Sequence, residues 1–158
     1  MIPVHTYDLI EIARIGVLFL PGDALENVMP PERREYPLLA WTGSEYGLGD
    51  EIDYVEDNFN AVKRTLLLIE RIDPRRSAQS AVWIRRPESP DKGEVIVAGG
   101  TGPIEGTQIE RLRPELERAL AGTPTRLWRG WGETVYYPIR NSDEEIVGAL
   151  EITARHPA

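Results

Sequence analysis

Trp128, Arg129, Trp131, Tyr136 and Tyr137 fall within ten positions of one another, with Arg126 just ahead of them. Aromatic walls beside a guanidinium suit a small charged molecule. Arginine offers a planar, bidentate fork to a carboxylate. An aromatic face attracts an amine through its quadrupole. A second pair, Trp83 and Arg85, stands two residues apart in the run AVWIRR, and that spacing in a strand points both side chains the same way. The candidate ligand-binding residues are therefore Trp83, Arg85, Arg126, Trp128, Arg129, Trp131, Tyr136 and Tyr137. Alternation divides them: Arg126 and Trp128 share one face, Arg129 and Trp131 the other, so only one set can look into a pocket. Trp128 with Tyr136 or Tyr137 is the favoured pair. The competing explanation is that these are cross-strand pairs that stabilise a sheet.

Other chemistries find little support. The chain has no cysteine, which removes disulfides, thiolate nucleophiles and cysteine-based metal sites. Its two histidines, His5 and His156, lie near opposite ends, far from the convergent spacing that a metal site or a triad needs. GGTGPIEGT at Gly99–Thr107 lacks both the Gly-Lys-Ser/Thr ending of a P-loop and the GxGxxG spacing ahead of a long helix. It reads as a flexible connection. Asp50, Glu51, Asp53, Glu56 and Asp57 read as the solvated acidic start of a helix, favoured by its dipole. No metal, cofactor or catalytic residue is assigned, and the chain is not expected to be an enzyme. A formal net charge of −8 is unsuited to nucleic-acid binding, which needs clustered Lys and Arg.

The elements that must position these residues follow from periodicity. The 158 residues suggest one domain with a core large enough to need no staples, and neither a linker nor an internal repeat is visible. The longest apolar run, Ile15–Leu20, is far short of the ~20 residues that span a membrane. The N-terminus carries Asp8 and Glu11 where a signal peptide would be basic and then apolar. No membrane insertion is expected, and the cytoplasm is the expected compartment, with an excised extracytoplasmic receptor domain as the alternative.

Thr6–Arg14 reads as a short helix capped by Thr6, and Gly16–Leu20 as a strand stopped by Pro21-Gly22. Val28–Gly49 has no period and reads as a long irregular loop. Asp53–Arg71 is a helix, with Asp53 and Glu56 as a capping box and Val55, Phe59, Val62, Leu66 and Ile69 as its apolar stripe. Leu67, Leu68 and Ile72 widen the stripe, and Pro74 ends it.

Ala81–Arg86 and Glu94–Ala98 read as a hairpin around PESPDKG. Arg113–Ala121 is a short helix, with Pro114 in its first turn and Gly122 just past its end. Thr125–Gly132, Glu133–Arg140 and Ile146–Ala154 are three more strands, the last two joined by a turn at Asn141–Glu144. The fold class is α+β: an antiparallel sheet of about five strands with helices packed on one face.

Four of these pieces also carry a resemblance: VIVA at Val95–Ala98, ALAG at Ala119–Gly122, YYPIR at Tyr136–Arg140 and EIVGALEI at Glu145–Ile152. In this order, behind a long helix, they resemble a PAS-like sensor domain of the Cache type over about residues 53–152. Residues 1–50 match no such pattern and form an N-terminal arm or lid. The resemblance implies a pocket between the sheet and the loops over it, bordered by Gly99–Thr107, with Arg85 as a candidate anion clamp. It implies a small organic ligand, among organic acids, amino acids, amines and purines, and a homodimer paired through an N-terminal helix.

The function expected is a sensory or regulatory module that reports a small molecule to an effector domain or partner protein. The alternative is a dimerisation or scaffold module of roadblock- or profilin-like shape. A third reading is a small-molecule enzyme with carboxylates as acid and base.

Overall fold

A computed structural model describes residues 8–28, 50–87, 89–100 and 109–156, with residues 50–56 as backbone only. In chain order the elements are α1 (Leu9–Phe19), α2 (Gly22–Val28), α3 (Asp50–Ile69), β1 (Gln79–Arg86), β2 (Ser89–Ala98), β3 (Ile109–Arg111), α4 (Pro114–Leu120), β4 (Thr125–Arg129), β5 (Gly132–Arg140) and β6 (Ile146–Arg155). The strands form one antiparallel sheet in the order β3-β2-β1-β6-β5-β4.

The fold is α+β as expected, with six strands rather than five. The additional strand is β3, which holds the sheet edge through Lys92↔Arg111 and Glu94↔Ile109. Three residues are too few to show alternation. β2 begins at Ser89, so most of the expected PESPDKG loop is strand, and Arg86 pairs directly with Ser89.

The N-terminus departs further. Gly16–Leu20 is helix, not strand: α1 runs on through Phe19 and buries Leu9, Ile12, Ala13 and Gly16 on one stripe. Gly16 marks a close helix approach, because a Cβ there would lie 2.8 Å from Cδ1 of Ile69 in α3. The helix cap is Asp8, whose carboxylate accepts from the Ile10 N–H at 3.2 Å. Pro21-Gly22 opens a helix instead of a loop: the Leu25 N–H donates to the Pro21 carbonyl, and Leu25 and Val28 enter the core.

α3 begins at Asp50, so Asp53 is inside the helix and does not cap it; the side chains of Asp53, Val55 and Glu56 lie outside the described residues. Val62, Leu66 and Ile69 are buried, whereas Leu68 is exposed and does not widen the stripe. The helix tightens through Arg71→Leu68 and Ile72→Ile69 bonds before reaching Pro74. The expected loop at Val28–Gly49 lies outside the described residues beyond Val28, as do Thr6 and most of Gly99–Thr107.

The sheet buries both faces. On the first, α1, α2 and α3 pack Leu9, Ile12, Val62 and Leu66 against Val82, Ile96, Val135, Leu150 and Ile152. On the second, α4 lays Leu116 and Ala119 over Ala81, Trp83, Val95, Ala98, Tyr136 and Ala149. One helix thus lies opposite the other three. Its end follows the sequence: the Thr123 N–H reaches the Arg118 carbonyl, the Gly122 N–H reaches Ala119, and Gly122 has φ +112°, a closure that favours glycine.

Candidate functional site

The second face has a polar centre. β6 runs between β1 and β5, and Glu151 on it is opposite Tyr136 of β5 and Ala81 of β1. Trp83, two residues along β1, is opposite Ala149. Trp83, Tyr136 and Glu151 therefore share one face on three adjacent central strands. Trp83 and Tyr136 are 4% and 1% exposed, while Glu151 keeps partial contact with solvent. The Trp83 Nε1–H is buried without a hydrogen bond of ordinary geometry.

Burial pushes the Glu151 carboxyl above its ordinary pKa; the Tyr136 hydroxyl, the Trp83 N–H and Arg113 pull it down, and Glu110 pushes it up. The Tyr136 hydroxyl is itself held far above the usual phenol value, by burial first and then by the neighbouring Glu151 charge. The apolar side chains around this centre are small: four of the eight in the buried cluster are alanines, Ala119 on α4 and Ala81, Ala98 and Ala149 on the sheet.

A cleft lies one residue pair away. β1 and β6 pair only from Gln79↔Thr153 to Trp83↔Ala149. Beyond that point β6 pairs with β5 alone, and the separating strands leave a space of about 340 Å³ lined by Leu25, Ile84, Arg85, Leu120 and Val147, among others. That is within the size range of small-molecule sites. Arg85 stands at its side, with its guanidinium donating to the Pro90 carbonyl and 4.0 Å from Glu117 of α4.

The remaining candidates do not converge on this centre. Arg126 reaches Asp8 at 2.7 Å and Glu133 at 3.4 Å, tying the start of α1 to the sheet. Trp128 is opposite Glu133, not a tyrosine, is 60% exposed, and stacks on His156 with ring centres 6.2 Å apart. Arg126 lies 5.2 Å over the Trp128 ring. Trp131 falls in the turn between β4 and β5, not in a strand, is 48% exposed, and has Arg129 at 5.9 Å. Tyr137 points to the first face and packs on that core. The residue that sequence reasoning missed is Glu151. Its signal was a lone charge in the apolar run IVGALEITA.

Among the described residues no group of three or more His, Asp or Glu is placed to hold a metal ion, and no helix is long and apolar enough to cross a membrane. The second face thus brings a carboxylate, a phenol hydroxyl, an indole N–H and two aromatic rings together on three adjacent strands.

No family model and no curated protein matches the chain. Among solved structures, one described as the GAF domain aligns with 96% of this chain and 85% of its own length, at 10% identity and a TM-score of 0.46.

Proposed function

We propose that this chain is a small-molecule-binding regulatory module. It holds its ligand against the second face of the sheet and reports occupancy to an effector domain or partner protein. The observation that carries the reading is the group formed by Trp83, Tyr136 and Glu151 on three central strands. Buried polar atoms are costly unless satisfied, and a core selected only for stability would place apolar side chains there. The finer assignment to the Cache type belongs to the same proposal and rests on the sequence pieces at Val95–Ala98 and Glu145–Ile152.

A thermal-shift screen of the full chain against organic acids, amino acids, amines and purines tests it. A ligand at a hundred times its Kd stabilises the native state by about 2.7 kcal/mol. The expected result is a class of hits whose shift is lost in both Trp83→Phe and Tyr136→Phe. Hits that survive both variants would move the site elsewhere, and a screen with no hits would sink the reading.

A second reading, a dimerisation or scaffold module, is favoured by Leu18, Phe19 and Leu68, large apolar side chains exposed on α1 and α3. Sedimentation of the wild type beside a Leu18→Glu, Phe19→Glu variant checks it: a dimer lost in the variant supports pairing through this helix end.

A further inference from the structure

Resting on that binding reading, we infer that the ligand is a small organic molecule carrying a protonated primary or secondary amine, and that its ammonium group is held by the Glu151 carboxylate beside Trp83 and Tyr136. The argument starts from what Glu151 lacks. A carboxylate offers about four acceptor positions; the Tyr136 hydroxyl and Trp83 N–H stand beside it on the neighbouring strands, and the Trp83 N–H is itself buried without a hydrogen-bond partner. Among the described residues no ion pair to Glu151 forms within salt-bridge distance.

The Arg113 charge acts on Glu151 from beyond salt-bridge distance, and the closer contacts of Arg113, Arg85 and Arg129 are with other groups. Arg113 lies 3.9 Å from Glu110, Arg85 faces Pro90 and Glu117, and Arg129 lies against Trp131. A partly desolvated carboxylate with no ion pair at salt-bridge distance among the described residues is an acceptor to which an ammonium donates strongly. The two aromatic rings beside it suit a cation further.

The same charges argue against an organic acid. An anion at this position would meet Glu151 and Glu110, with Arg113 already paired to the latter. Like charges at short range in a poorly hydrated site repel strongly. A neutral alcohol would satisfy one acceptor position and leave the charge uncompensated.

The test compares isosteric sets on the full chain by calorimetry: primary and secondary amines, the matching alcohols, and the matching carboxylates. An amine is expected to bind more tightly than its alcohol isostere. Its affinity should fall about 10- to 100-fold in Glu151→Gln, the range for losing a hydrogen bond to a charged partner. Glu151→Gln keeps the side-chain shape and removes the buried charge, so its melting temperature is expected to equal or exceed that of the wild type, which separates lost binding from lost folding. Carboxylates or alcohols that bind, with loss in Trp83→Phe but not in Glu151→Gln, would overturn the amine assignment and leave the binding reading standing. Amines that bind equally well to Glu151→Gln would overturn the role of the carboxylate. Failure of every class would overturn both.

Discussion

Tyr136 and Glu151 are opposite one another on β5 and β6; burial raises the pKa of both, the Glu151 charge further holds the phenol proton on, and the Tyr136 hydroxyl partly offsets the rise of the Glu151 carboxyl. A carboxyl whose folded pKa lies above its unfolded value binds more protons in the native state. Stability then falls as pH rises from the ordinary value of 4.5 through the elevated folded value, and the destabilisation is complete above it. Glu151→Gln removes this dependence. Urea midpoints measured from roughly pH 4 to 8 should show the variant gaining on the wild type as pH rises and converging with it at the acid end. Parallel curves would mean that the carboxyl is not buried as described.

Arg86 and Glu94 form a pair across β1 and β2 at 3.1 Å, with both side chains almost fully enclosed. Removing one partner leaves a buried charge uncompensated, which costs about 3–5 kcal/mol. Arg86→Met and Glu94→Leu should each lower the denaturation midpoint sharply, and the double variant should recover most of the loss. A double-mutant cycle reads this coupling; additive losses would contradict it.

Gly122 closes α4 at φ +112°. A Cβ there would lie 3.3 Å from Ile146 Cδ1, so both backbone and packing resist a side chain. Gly122→Ala is expected to destabilise the fold by about 1–3 kcal/mol, measured by chemical denaturation. An unchanged or raised midpoint would show that the turn relaxes freely.

Asp8 does two jobs at the start of α1: it caps the helix through the Ile10 N–H and pairs with Arg126 on β4. Asp8→Ala removes both and should cost about 0.5–2 kcal/mol, mostly from the cap. Asp8→Asn keeps the cap and removes the charge, and should cost under about 1 kcal/mol because the pair is partly exposed. Comparing the two denaturation midpoints separates the contributions; equal losses would assign the effect to the ion pair.

Local chemistry made much of this legible. Pro114 and Gly122 bracket α4, and the Asn141–Glu144 turn is built on the Asn141 side chain, which accepts from the Asp143 and Glu145 N–H groups. These signals act over a few residues, so they survive without tertiary context. The run IGVLFL failed the same test. Six apolar residues fit strand and helix equally, and the choice fell to packing, where Gly16 admits Ile69. β3 owes its existence to the β2 edge, which no local pattern records.

The candidate site divides the same way. Alternation along each strand is a property of the backbone, so the sequence by itself determined that Trp83 and Arg85, or Val147, Ala149 and Glu151, stand on common sides of their own strands. Which strands lie side by side, and in which register, depends on contacts between residues as distant as 83, 136 and 151. Only the tertiary structure decided that Trp83 and Tyr136 meet across Glu151, while Trp128 turns to the opposite face and Trp131 to a hairpin tip. A register shift of one residue would invert every such pairing, because neighbouring positions on a strand face opposite sides of the sheet.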